Sequence, residues 1–227
     1  MASRPVFVPN AVGRPLVDEI SVEFRWHSGF SIAQRQRCVS SLHEEAADLG
    51  LGNILEISTK SESELGRNLS AFNLRLTINN GQIVCVESAY QGSKVFRDGG
   101  PFQELYSKSA REARKDPRLR NSGYLVSYAF IESLWQSEPK TAFYNWLYVS
   151  ALRQNPDLSA HLPDYDCFSD IEFNPARSIN CQARAAALFV TLQSRKLLDL
   201  ALVSQDSFIR VTTGEGALAY EQGTLFE

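Results

Sequence analysis

Glu87, Tyr90, Gln91 and Lys94 place an acid, a phenol, an amide and an amine at offsets of 0, 3, 4 and 7. In a helix begun at about Glu87, that spacing turns all four to one face. A carboxylate and an amine facing the same way are groups that move protons at a bound substrate. A core helix would carry Leu, Ile or Val at such positions, and a fully solvated one would not follow directly on the apolar run Gln82-Ile83-Val84-Cys85-Val86. The same spacing also fits ordinary surface charges a turn or two apart, so the surroundings must decide.

Two further stretches could bind anions. Ser61 and Glu64 read as a capping box with Lys60 beside it, and a helix start there would present backbone N–H groups to a phosphate. Lys108, Arg111, Arg114, Lys115, Arg118 and Arg120 outnumber Glu112 and Asp116. Such a run is ordinarily a solvated helix face, and its local positive excess also suits contacts to a nucleic-acid backbone. The formal net charge of -3 argues against a protein that coats nucleic acid through its overall field, so any contact of this kind should be transient.

The elements that must position these groups can be read from periodicity. With 227 residues and 44% hydrophobic residues, one sizeable core is expected without a disulfide or metal staple. Residues 1–19 hold three prolines and read as an irregular arm with at most a short strand at Val6-Phe7-Val8. Ile20, Val22, Phe24 and Trp26 alternate with polar residues, as in a half-buried strand. Ser31 with Gln34 opens a helix that should stop near Gly50 and Gly52. A strand at 53–58 follows, and then two strands around Asn79-Asn80-Gly81, a hairpin turn whose positions favour positive φ. After Pro139 a helix from about Lys140 carries Phe143, Trp146 and Leu147 until Asn155-Pro156 ends it. Residues 163–175 form an acidic loop, and Ser178 can cap a long helix through Ala185, Leu188 and Leu192. The order gives α+β with helices dominating: a single domain over 20–210 and a loosely held glycine-rich tail over 211–227. Cys38, Cys85, Cys167 and Cys181 lack paired spacing and read as packed thiols, while His27, His43 and His161 stand apart. No metal cage, no cofactor, and no signal or membrane segment is expected, which points to a soluble cytoplasmic protein.

Leu69-Ser70-Ala71-Phe72-Asn73-Leu74, followed by Val86-Glu87-Ser88-Ala89-Tyr90-Gln91-Gly92-Ser93-Lys94, resembles the "LSNF…EHAYQAxK" signature of the NADAR family. Trp135, the segment 152–158 and Asp170 resemble further family positions in the same order, so that about residues 53–200 carry the likeness. Ser88 stands where the family has histidine, and Asp170-Ile171-Glu172-Phe173-Asn174 replaces its "DxxWG". These departures lead away from the branch that hydrolyses riboflavin intermediates. The N-terminal strand-helix unit and the segments 54–61 and 178–183 look more like the branch found beside toxins that ADP-ribosylate guanine in DNA.

The resemblance implies an antitoxin that hydrolyses the N-glycosidic bond between ADP-ribose and guanine, releasing ADP-ribose, with a DNA ADP-ribosyltransferase toxin as cognate partner. An oxocarbenium-like transition state calls for carboxylates near the sugar. Glu87 is the leading acid/base, Asp170 the second carboxylate and Glu56 a reserve. Lys94 either donates to the ribose or diphosphate or, if burial depresses its pKa, attacks the opened sugar to form a Schiff base. Lys60 and Ser61 suit the diphosphate, Phe72, Tyr90 or Trp146 could stack on adenine, and Gln91 shares their face. Asn73, Asn180 and Gln182 could fix ribose hydroxyls, and Lys108, Arg111, Arg114, Lys115 and Arg118 could hold the strand. Two other readings stand beside this one: an N-glycosidase of early riboflavin intermediates, and a non-catalytic module that binds ADP-ribose or the toxin.

Overall fold

The computed structural model describes residues 1–79 and 81–214. β1 (Ala2–Pro9) and β2 (Val17–Phe24) pair antiparallel along their full length, from Ala2 opposite Phe24 to Pro9 opposite Val17. The first residues are therefore not an irregular arm. Val6 and Phe7 are buried, and β1 becomes an inner strand of the main sheet, which Pro5 within the strand and Pro9 at its end had masked. α1 (Ile32–Asp48) starts at Ser31, whose side chain accepts from Gln34 N, and ends before Gly50 at φ +83°. Its buried Cys38, Val39, Leu42 and Ala46 pack with Val22 and Phe24. β3 (Ile54–Glu56) is shorter than the stretch expected over 53–58.

α2 (Glu64–Asn68) is capped by Ser63, not by Ser61. Ser61 turns inward, and a Cβ at Gly66 would lie 2.1 Å from the Glu56 carbonyl oxygen, so this turn lies directly on the end of β3. β4 (Arg75–Thr77) and β5 (Ile83–Cys85) form the expected hairpin, with Gly81 at φ +80°. Asn80, at the middle of the expected turn, lies outside the described residues.

α3 (Val86–Gly92) follows β5 without a break, its N-terminus capped by the Cys85 sulfur. The helix stops two residues short of the expected face: Lys94 opens β6 (Lys94–Phe96). α4 (Ala110–Lys115) and α5 (Arg118–Asn121) hold the basic run except Lys108, which precedes α4. The apolar segment from Leu125 is a second hairpin, β7 (Leu125–Phe130) and β8 (Ser133–Gln136), which joins β6 in a three-stranded sheet. α6 (Ala142–Gln154) is the expected aromatic helix, and α7 (Pro156–Ser159) continues it after Asn155.

The acidic loop contains β9 (Cys167–Ser169), buried at all three positions. β9 lies between β1 and β3, antiparallel to the first and parallel to the second, and puts Ser169 opposite Glu56. α8 (Gln182–Ser194) has Cys181 at its N-cap position, three residues beyond the expected cap at Ser178. α9 (Leu198–Leu202) and α10 (Gln205–Thr213) end the described chain. Residues 211–213 thus belong to a helix, and the expected tail from 215 onward lies outside the described residues. The fold is a single α+β domain in which helix outweighs strand, 43% to 20% of the described residues. All four cysteines are free and buried. Among the described residues no helix is long and apolar enough to cross a membrane.

Candidate active site

A cleft of about 810 Å³ opens where α3, the 58–60 and 70–72 turns, α4 and the segment from Asp170 to Gln182 meet. Its placement follows from chain connectivity. The β4–β5 hairpin delivers α3 into the core, where Val86 N bonds Leu74 O at 3.0 Å and Glu87 N bonds Ala71 O at 2.9 Å. These bonds hold the 70–74 turn against the first turn of α3. Gln182 closes the other side: its Oε1 accepts from Ala71 N and its Nε2 donates to Ile57 O, both at 2.7 Å.

Glu87, Tyr90, Gln91 and Lys94 all line this cleft, so the sequence spacing brought together a real face even though the helix ends before Lys94. They form one chain of contacts. Gln91 Nε2 donates to Glu87 Oε1 at 3.0 Å, Lys94 Nζ donates to Gln91 Oε1 at 2.8 Å, and the same amine lies 4.6 Å from the centre of the Tyr90 ring. Glu87 is 8% exposed, and Arg114 Nε lies 4.0 Å from its Oε1. Burial lowers the Lys94 pKa to about 8, with the Glu87 charge opposing the shift. The Tyr90 hydroxyl meets Tyr128 Oη at 3.2 Å and accepts from Asn180 Nδ2 at 2.6 Å, and burial pushes its pKa well up.

Asp170 lines the same cleft, and Glu56, which does not, is close enough for its charge to act on Asp170. Burial raises both carboxyls above the usual range, and for Asp170 the Glu56 charge adds to the shift. Tyr144, buried on α6, faces both Glu87 and Asp170.

Of the remaining expected site residues, Lys60, Phe72, Arg111, Arg114, Asn180 and Gln182 line the cleft. Glu56, Ser61, Asn73, Trp146, Lys108, Lys115 and Arg118 do not. Ser61 N is used within its own turn, bonding Ser58 O at 3.2 Å, and Asn73 Nδ2 donates to Arg67 O. Trp146 packs among Trp135, Phe130 and Phe143, with the Trp135 ring centre 5.0 Å away. Arg118 is bound to Glu104 and Asp116 and covers Phe102. Sequence reasoning missed Ser58, Ser70, Tyr144 and the wall from Phe173 to Ile179. Two atoms stand out. Ser70 Oγ and Asn180 Oδ1 are buried and find no hydrogen-bond partner among the described residues.

A family model described as DarT1-associated NADAR antitoxin matches residues 2–222. The chain belongs to that family. Membership implies reversal of guanine ADP-ribosylation and association with a DarT1 toxin. In this NADAR antitoxin the match reaches well beyond the motif-bearing 53–200, taking in β1, β2 and α1. Those elements carry one side of the Asp170 floor, since β1 pairs with β9. A comparison with curated proteins gives no match.

Proposed function

We propose that this NADAR antitoxin is an ADP-ribosyl hydrolase that cleaves the N-glycosidic bond between ADP-ribose and guanine bases in nucleic acid. What supports this most is the single cleft in which a carboxylate, a buried second carboxyl and an amine of depressed pKa converge. A module that only held ADP-ribose would need donors and a stacking surface, not ionisable groups arranged this way.

Lys60 and Arg111 give the cleft positive charge suited to a diphosphate, and the half-buried Phe72 offers a face to adenine. Ser70 Oγ and Asn180 Oδ1 suit ribose hydroxyls, because each is a buried polar atom without a partner. The depressed pKa of Lys94 meets the condition for a nucleophilic amine: at pH 7 roughly a tenth of it is uncharged. Lys94 therefore attacks the anomeric carbon, Glu87 takes the proton that the amine loses, and water later releases ADP-ribose. Arg111 and Arg114 at the rim face an incoming phosphate backbone.

The test is release of ADP-ribose from a guanine-ADP-ribosylated oligonucleotide. The wild type should turn the substrate over, and Glu87→Gln should lower kcat about 10²-fold or more while still binding ADP-ribose. Intact substrate after prolonged incubation with wild-type protein would reduce the cleft to a binding site. Turnover of ribosylaminopyrimidine phosphates in its place would move the chain's activity to the riboflavin-intermediate branch.

A further inference from the structure

Asp170, which lines the cleft, and Glu56, which lies close to it without lining the cleft, are buried acids with unequal surroundings. Glu56, 3% exposed, collects donors: Ser169 Oγ at 2.6 Å on Oε2, Ile171 N at 3.0 Å on Oε1, and the Ser58 hydroxyl. Asp170, 6% exposed, accepts from Glu172 N at 3.0 Å and from the Gln182 amide, with only the weakly donating Cys181 thiol, 4.0 Å away, as a third partner. Neighbouring buried carboxyls do not both ionise, and the charge settles on the one with more hydrogen-bond donors.

The chain of contacts continues outward. Ser169 has one hydroxyl hydrogen, and Glu56 receives it. The Ser169 oxygen is then left to accept from His43 Nε2 on α1, 2.8 Å away, which requires a proton on Nε2. Burial keeps His43 neutral, with a pKa lowered to about 4.

We propose that Asp170 is the proton donor to the departing guanine, kept protonated at neutral pH by an ionised Glu56 that His43 anchors through Ser169. The destination of the proton rests on the hydrolase reading above, but the protonation pattern belongs to the free protein. In the step, the bond from C1 to the guanine nitrogen breaks with its electron pair on nitrogen, which takes the Asp170 proton. C1 gains a bond to Lys94 Nζ, whose surplus proton passes to Glu87. Water then splits that bond, its hydroxyl going to C1 and its hydrogen to Nζ, and Glu87 returns its proton to Asp170 through solvent.

The other groups facing Asp170 are consistent with this. Glu172 adds repulsion, and Tyr144, Tyr148 and Cys181 are held neutral by burial. Arg35 is committed to Glu172 at 3.2 Å. Arg4 on β1 attracts the Asp170 charge, but burial and Glu56 push harder in the opposite direction. His43 and Ser169 are thus positioning residues, and Asp170 is the catalytic one.

Carboxyl ¹³C NMR of the ligand-free protein, assigned with Asp170→Asn and Glu56→Gln, tests the pattern, together with ¹⁵N NMR of His43. At pH 7 Asp170 should show the protonated shift, Glu56 the ionised one, and His43 the Nε2–H tautomer. Ser169→Ala should lower the Asp170 midpoint by about one pH unit or more. An ionised Asp170, or a proton found on Glu56, overturns the proposal, and neither outcome touches the oligonucleotide assay by which the hydrolase reading stands or falls. If Ser169→Ala does not fold, His43→Gln should keep the midpoint because its amide can donate in place of Nε2, and His43→Leu should lower it. Equal midpoints in those two variants remove His43 from the device.

Discussion

Asn180 Nδ2 donates to the Tyr90 hydroxyl at 2.6 Å, joining residues 90 positions apart in the chain. The bond fastens the segment that precedes α8 to the middle of α3, tying the wall of the cleft to its reactive face. It also orients the Asn180 amide, leaving Oδ1 buried and unpaired. Asn180→Ala should therefore weaken ADP-ribose binding about tenfold, or about 1.4 kcal/mol, measured by calorimetry. Tyr90→Phe, which removes the acceptor for Nδ2 together with the contact to Tyr128 Oη but keeps Asn180 Oδ1, should produce a smaller loss of the same sign.

Lys94 makes a covalent prediction. With its pKa near 8, the uncharged fraction rises about tenfold for each pH unit below that value. Borohydride reduction in the presence of ADP-ribose should leave a stable adduct whose mass maps to Lys94, with a yield that climbs from pH 6 to pH 8 and then levels. No adduct at pH 8 with saturating ADP-ribose would assign the amine to hydrogen bonding alone.

The same residue should lower stability. Its folded pKa, about 8, lies below the value near 10.4 expected in the unfolded chain, so the unfolded state binds more protons between the two. Stability should rise with pH across that window, and below about pH 8 the full cost of burying the ammonium remains. Lys94→Met should stabilise the fold at pH 7 by about 1–2 kcal/mol in urea denaturation while abolishing turnover. The gain is smaller than the whole shift implies, because Glu87 loses a favourable neighbour and the amine keeps part of its hydration.

The basic run divides into two classes. Arg111 and Arg114 line the cleft, whereas Arg118 is held by Glu104 and Asp116. Alanine at both 111 and 114 should reduce the slope of log K against log salt for ADP-ribosylated single-stranded DNA by about 1.5, measured by fluorescence anisotropy. Arg118→Ala should leave that slope unchanged.

The sequence by itself was enough for the parts governed by neighbours in the chain. Offsets of 0, 3, 4 and 7 announced that Glu87, Tyr90, Gln91 and Lys94 share a face, and the glycine at 81 announced the hairpin that feeds it. Side-chain direction repeats with the backbone, so a local pattern carries it. Even where α3 ended early, the αR residue Ser93 kept Lys94 turned toward Gln91. Tertiary structure alone decided the rest. Only the pairing of β9 with β3 places Ser169 against Glu56, and only the packing of α1 brings His43 to the same serine, 126 residues away in the chain. β9 itself was hidden in an acidic stretch, because its three residues are buried on both faces and show no alternation. Which carboxyl keeps its proton, and which lysine loses some of its own, depends on burial and on charges distant in sequence, and such fields exist only once the chain has closed around them.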